Sequence, residues 1–272
     1  MLIDLHTHST ASDGLLAPAE LARAAHVAGL TTIALTDHDI TDGIAAAQDT
    51  GTAFGLEVIS GVELNTELPD GGEAHVLGYF IDPGNTAFQE RLAVRRSARE
   101  RRGRQIVQKL QDIGLPITWE QVLRHAKGAV GRPHVAEALI ESGVVGSVPE
   151  AFDRYLARGK PGFVPREVFT PVEAVQTIRN AGGVASLAHP AYIAVLDDLL
   201  ASMVAAGLSG LECHYGQYDD ATVRRLLSVA AQYHLIPTGG SDYHGPGIHP
   251  TPLGGHPVPA ESLAELREAA RR

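Results

Sequence analysis

The sequence predicts an α/β fold, a distorted (β/α)7 barrel interrupted by an inserted helical subdomain. Short apolar or β-branched runs alternate with amphipathic stretches of helical period at both ends of the chain, the pattern of parallel strands joined by crossovers. Between residues 86 and 168 that alternation gives way to a pattern that is helical throughout. Ligand-type polar side chains recur where the apolar runs end, and strand ends form the functional rim of such barrels.

Taken in order, Leu2–His6 reads as the first strand, and Pro18–Ala28 as a helix opened by proline and stopped by Gly29. Thr31–Thr36 is a β-branched strand, followed by a helix over Gly43–Phe54. Glu57–Val62 and His75–Ile81 are the third and fourth strands. The insertion carries turn signals at Gly114-Leu115-Pro116, Gly131-Arg132-Pro133 and Gly159-Lys160-Pro161-Gly162. The alternation resumes with helices at Pro171–Ala181, Leu196–Ala206 and Ala221–His234, between strands at Val184–Ala188, Gly210–His214 and Leu235–Thr238. The Gly- and Pro-rich segment 245–259 reads as loop, before a last helix at Ala260–Arg271. The barrel is thus expected from residues 1–85 and 169–272, with 86–168 inserted. Seven strands, expected to run parallel, are one short of the usual eight. His75, at the start of its strand, is out of place in a regular barrel.

A chain of 272 residues with 44% hydrophobic and 20% charged residues can bury a sizeable core. No apolar run is long enough to span a bilayer. Asp4 and His6 stand where a signal peptide would need apolar residues, and the single cysteine, Cys213, excludes an intramolecular disulfide. A cytoplasmic protein is expected. The net charge of −10 argues against binding nucleic acid over the whole surface. Against it stands a basic stretch of Arg91, Arg95, Arg96, Arg99, Arg101, Arg102 and Arg104, continued by Ile106, Val107 and Leu110 as an amphipathic helix. This is either a solvated face partnered by Glu90 and Glu100 or an electropositive cover for a phosphorylated substrate.

His6 and His8, two apart on a strand, point to one face. His38, Glu63, His75, His189, Asp242 and His244 lie nearly all at or beside further strand-like segments, and Asp13 is a further ligand-type acid. Imidazoles and carboxylates without thiolates favour Mn²⁺, Fe²⁺ or Zn²⁺. Six histidines and three acids exceed what one ion accepts, so two or three ions with a bridging carboxylate are expected. Clusters with ions about 3.5–4 Å apart suit displacement at phosphorus. His214 ends a strand facing the same rim and is a candidate to touch substrate or protonate a leaving group. His26, His125 and His234 read as surface or packing residues, and His249 and His256 as loop residues.

Five motifs carry a resemblance. Asp4-Leu5-His6-Thr7-His8-Ser9 with Asp13, Thr36-Asp37-His38, Gly61-Val62-Glu63, Ala188-His189-Pro190 and Gly240-Ser241-Asp242-Tyr243-His244 resemble those of the PHP (polymerase and histidinol phosphatase) metallophosphoesterases. The resemblance implies a (β/α)7 catalytic barrel with a trinuclear site. His6, His8, Glu63 and Asp242 would hold one ion and form the catalytic set. Glu63, His75 and His189 would hold the second, and Asp13, His38 and His244 the third. Gly131-Arg132-Pro133-His134-Val135-Ala136 and the segment Tyr155–Pro165 resemble the branch containing RNase AM and the 3′,5′-nucleoside-bisphosphate phosphatases. That branch implies a substrate-covering insertion in which Arg132, His134, Arg158 and Lys160 contact a nucleotide or short oligonucleotide. It implies hydrolysis of 3′,5′-bisphosphonucleotides or 5′-phosphorylated oligonucleotides, in an exonuclease-like 5′-3′ direction, by a metal-bound hydroxide. No membrane association or obligate protein partner is expected. The alternatives are a small-molecule phosphatase of the histidinol-phosphatase type and a metal-dependent amidohydrolase. The amidohydrolase reading lacks its bridging lysine, because Lys109, Lys127 and Lys160 all fall in the insertion. An idle regulatory module is opposed by the complete ligand set.

Overall fold

Every residue of β1 (Ile3–Thr7) is buried, polar and apolar alike, so both faces of the strand are covered. That is the state of a barrel-wall strand with helices outside and packed side chains within. The computed structural model describes residues 2–68, 72–126, 130–165, 168–248 and 250–272. After β1 come α1 (Pro18–Val27), β2 (Thr32–Leu35), α2 (Ile44–Phe54), β3 (Glu57–Glu67) and β4 (Glu73–Tyr79). The helices α3 (Thr86–Asp112), α4 (Trp119–His125), α5 (Arg132–Glu141) and α6 (Val148–Ala151) follow, with a π-helical turn at Phe152–Leu156. The chain then continues through α7 (Pro171–Asn180), β5 (Val184–Ala188), a 3₁₀ turn at Pro190–Tyr192, α8 (Leu196–Ala205), β6 (Gly210–Tyr215), α9 (Asp220–Gln232), β7 (Ile236–Gly240) and α10 (Ala260–Ala269). The strand and helix ends differ from the sequence reading mostly by one or two residues, as frayed termini do; β3 is the exception, extending to Glu67.

The strands lie in the order β1-β2-β3-β4-β5-β6-β7. A bridge between Thr7 and Tyr243 brings the chain after β7 back beside β1, with His8 N–H donating to Tyr243 O at 2.9 Å. The barrel is therefore nearly closed. Gly240 is required there, since a Cβ would lie 2.5 Å from His6 N and Cβ. Any side chain would push β7 away from β1.

One expectation is corrected. The strands are not all parallel: β4 runs antiparallel to both β3 and β5, while the remaining pairs are parallel. The cause is length. Because β3 continues to Glu67, too few residues remain before Glu73 for the crossover a parallel strand needs. The reversal places the start of β4 at the rim where the other strands end, and His75 pairs in register with Ala188, next to His189. The apparent misplacement of His75 is thus the consequence of strand direction.

The helices form for local reasons and bury one stripe each. Thr170 caps α7 by accepting from Glu173 N–H, while Glu173 accepts from Thr170 N–H, and Ala174, Val175 and Ile178 turn inward. One core cluster joins Leu21, Ala22 and Ala25 of α1 to Ile33, Leu35 and Val58; another joins Leu263 and Leu266 of α10 to Ile3, Leu5 and Leu77.

The chain divides into two compact units, Met1–Glu90 with Val168–Arg272, and Arg91–Glu167. The second has its own core, built on Leu110, Trp119, Val122, Val135, Leu139 and Leu156. Among the described residues no helix is long and apolar enough to cross a membrane.

Candidate metal centre

Glu63 is the hub. It sits within β3, is 1% exposed, and reaches five imidazoles. Its Oε2 lies 3.3 Å from His6 Nε2, 3.2 Å from His8 Nε2 and 3.1 Å from His38 Nδ1. Its Oε1 lies 2.8 Å from His75 Nδ1 and 3.2 Å from His189 Nε2. Asp242 Oδ1 completes one side, 3.2 Å from His6 Nε2 and 3.3 Å from His8 Nε2. Asp13 closes the other, with Oδ1 3.3 Å from His244 Nε2 and Oδ2 3.6 Å from His38 Nε2.

Each side chain arrives by a short route. His6 and His8 use the period of β1, and a bridge between His38 and Glu63 aligns the end of β2 with β3. His189 and Asp242 adopt left-handed backbone, with φ of 31° and 54°. Non-glycine residues occupy that region at a cost, and such strain collects at functional sites where surrounding structure enforces it.

Three overlapping donor groups have ligand atoms within 4.8 Å of one another: His6, His8, Glu63 and Asp242; His38, Glu63 and His75; and His8, Asp13, His38 and His244. The donor set fits divalent cations on a direct test. Both ring nitrogens of His8 and Oδ1 of Asp13 are buried without a hydrogen-bond partner among the described residues. Buried polar atoms are normally satisfied, and here they converge on shared points instead.

The electrostatics follow from charges crowded out of water. Burial works against protonated His6, but the carboxylates of Asp242, Glu212 and Glu63 outweigh it and hold the group well above its ordinary range. His8 rises to about 10 against its own burial, through the closeness of Asp242 and Glu63. Burial wins at His38, which falls to about 3 although Glu63 and Asp13 oppose it. Burial would raise Glu63, Asp242 and Asp13, yet the surrounding imidazoles hold all three well below the usual carboxylate range.

A second ring of residues was not singled out from the sequence. Glu212 on β6 is fully buried, accepts from the His6 ring at Nδ1 (2.9 Å) and from His189 N–H (2.7 Å). Its sequence signal is a lone acid between Leu211 and Cys213 in a buried strand. Tyr215 donates its hydroxyl to Asp242 Oδ2 at 2.9 Å, and Asn65 Nδ2 lies 3.0 Å from His38 Nδ1. Asp4 accepts from Ser241 N–H and O–H and from Gly254 N–H, tying the Asp242 loop to β1. Asp37 does the same for the turn carrying Asp13, accepting from the hydroxyls of Ser9 and Ser12.

The other candidates make contacts of their own. His214 packs against His256 at 6.2 Å, and burial, then that second ring, lowers it. Arg132, His134, Arg158 and Lys160 belong to the helical unit. Arg132 lines a small cavity there with Arg99 and Arg102 and sits 5.4 Å over the Phe152 ring. His134 Nδ1 accepts from Gly131 N–H at 3.0 Å, within the first turn of α5. Arg158 is exposed, and Lys160 Nζ lies 3.5 Å from Asp153. His26 stacks on Phe54, and His125 pairs with Glu137 and Glu141. His234 follows α9 with φ of 54°. His249 falls outside the described residues.

Comparison with known proteins shows the family. The model of the PHP domain matches residues 4–127. The chain is 38% identical to the 5'-3' exoribonuclease Rnm of Salmonella typhimurium strain LT2, over 90% of this chain and 86% of the relative. It is 33% identical to a 3',5'-nucleoside bisphosphate phosphatase of Chromobacterium violaceum, over 90% of this chain and 88% of that one. A solved structure from Bifidobacterium adolescentis, assigned as a metal-dependent phosphoesterase, superposes with a TM-score of 0.86 at 33% identity, covering 97% of this chain and 94% of the other. The chain belongs to the PHP family of metal-dependent phosphoesterases.

Proposed function

We propose that this phosphoesterase hydrolyses the 3′-phosphate of 3′,5′-bisphosphonucleotides or the terminal linkage of short 5′-phosphorylated oligonucleotides. The observation that carries the reading is Glu63, one buried carboxylate within 3.3 Å of five imidazole nitrogens. Such a hub suits an ion-bridging ligand. The nucleotide substrate class is supported by the relatives named for exoribonuclease and nucleoside-bisphosphate phosphatase activity.

Three divalent ions, with Mn²⁺, Fe²⁺ and Zn²⁺ as candidates, would be held by His6, His8, Glu63 and Asp242; by Glu63, His75 and His189; and by Asp13, His38 and His244. When bound, such ions neutralise charge on the attacking and departing oxygens and supply a nucleophile near neutral pH. The chain's own part is to hold that cluster and orient it. Glu212 fixes the His6 ring and the backbone of His189, and Tyr215 fixes Asp242. The Cys213 thiol, buried and pushed up to about 12, is unsuited to nucleophilic attack. In the proposed reaction water is the attacking group, and the bond from phosphorus to the sugar oxygen breaks. The helical unit is proposed to cover substrate through Arg132, His134, Arg158 and Lys160, and His214 to assist at the rim. The single cysteine suits a reducing compartment, and we place the protein in the cytoplasm.

The test, with added Mn²⁺, measures phosphate release from nucleoside bisphosphates and histidinol phosphate, and mononucleotide release from short 5′-phosphorylated RNAs. Single turnover with excess enzyme in ¹⁸O-water is expected to place the label in the product phosphate. Label in the sugar hydroxyl would mean C–O cleavage and would overturn the mechanism. Preference for histidinol phosphate would overturn the nucleotide assignment.

A further inference from the structure

Beside the cluster stands an aromatic group that the hydrolytic chemistry does not use. Tyr192 ends the 3₁₀ turn that follows His189, and its residue is 64% exposed, unusual for a large aromatic side chain next to a buried polar centre. Its ring centroid lies 6.4 Å from that of His189, whose Nε2 is 3.2 Å from Glu63. Two further tyrosines brace it, Tyr215 edge-on at 6.3 Å and Tyr218 tilted at 5.9 Å, and these two pack on each other at 4.9 Å. The turn itself is pinned, because Ala191 N–H donates to the Tyr218 hydroxyl at 3.0 Å. Burial raises the Tyr218 hydroxyl, so it stays protonated.

A ring braced on one side by the buried Tyr215 and the half-buried Tyr218, with much of its surface open to water, is a preorganised stacking surface. Its low conformational freedom keeps the entropic cost of ligand contact small. Purine and pyrimidine rings are the ligand class such a surface takes, since every base presents a π-face.

We propose that Tyr192 stacks on the base of the nucleotide whose phosphate is cleaved, and so selects nucleotide esters over phosphate esters that lack a base. This rests on the nucleotide-phosphoesterase reading above and names the residue that recognises the base. Tyr215 joins the two functions physically, packing on Tyr192 while its hydroxyl holds Asp242.

The experiment compares adenosine 3′,5′-bisphosphate with 1-deoxyribofuranose 3,5-bisphosphate, which keeps both phosphates and has no base. The ratio of their kcat/KM values is expected to fall by roughly tenfold or more in Tyr192→Ala, through KM on the nucleotide, and to be retained in Tyr192→Phe. Equilibrium binding of adenosine 5′-monophosphate should weaken in the alanine variant more than binding of inorganic phosphate. A wild-type enzyme active on the nucleotide whose substrate ratio is unchanged by Tyr192→Ala would overturn the stacking role alone. A wild-type enzyme that neither releases phosphate from the nucleotide nor shortens a 5′-phosphorylated oligonucleotide would overturn the proposed function, and this inference with it.

Discussion

His6 and Glu212, 206 residues apart and both fully buried, meet at 2.9 Å between Nδ1 and Oε1. With Nδ1 directed at the Glu212 carboxylate, Nε2 is the His6 ring atom turned to the cluster, 3.2 Å from Asp242 and 3.3 Å from Glu63. A carboxylate behind a metal-type histidine fixes the ring's tautomer and direction and raises its basicity. The other Glu212 oxygen accepts from His189 N–H, so one side chain positions two parts of the rim.

Glu212→Gln is therefore expected to weaken divalent-ion affinity about 10–100-fold while leaving the fold intact. Titrating chelator-stripped protein with Mn²⁺, with circular dichroism as the control for folding, checks this. An unchanged affinity would show that Glu212 only fills the barrel interior.

Glu63→Gln should be the most damaging substitution of the cluster, because a bridging carboxylate serves two ions. A loss of several kcal/mol of transition-state stabilisation corresponds to about 10³-fold or more in kcat/KM. Elemental analysis should find more than two equivalents of metal in the wild-type protein loaded with Mn²⁺ and fewer in the variant. A single equivalent in fully active wild-type enzyme would contradict the trinuclear assignment.

Metal loading should release protons and strengthen as pH rises. His6, His8 and His189 are all raised, against their burial, by neighbouring carboxylates, so in ion-free protein they hold protons that a cation must displace. Affinity should climb with pH toward the His8 value of about 10, whereas His38, held near 3 by burial, offers no such competition. Calorimetry in buffers of different ionisation enthalpy reads the proton count directly. Stability of the ion-free protein carries the opposite sign. The His8 contribution is fully present below the unfolded value of 6.5 and is lost as pH rises through about 10.

Arg132→Ala should raise KM on nucleotide substrates about tenfold, the worth of one charge-assisted hydrogen bond, without unloading the metals. The wild-type rate at subsaturating substrate should also fall with added salt, as screening weakens attraction between the basic helical unit and a polyanion. A variant with unchanged kcat/KM would leave Arg132 as the turn residue that packs over Phe152.

The sequence by itself determined the order of strands and helices and the set of ligand-type residues. Both are written locally: hydrophobic period belongs to consecutive residues, and His6 and His8 share a face wherever β1 lies. Donor types without thiolates restricted the chemistry before any partner was known. Tertiary structure alone decided the direction of β4, because direction depends on how far β3 extends before the chain turns, and Leu64 to Glu67 suit strand or loop equally by pattern. That direction brings His75 to the rim. Tertiary structure also decided which donors share a point, and that Glu212 stands behind His6. A buried carboxylate looks the same in sequence whatever histidine it serves; closure of the barrel, bringing β6 and β1 to one interior, selects the partner.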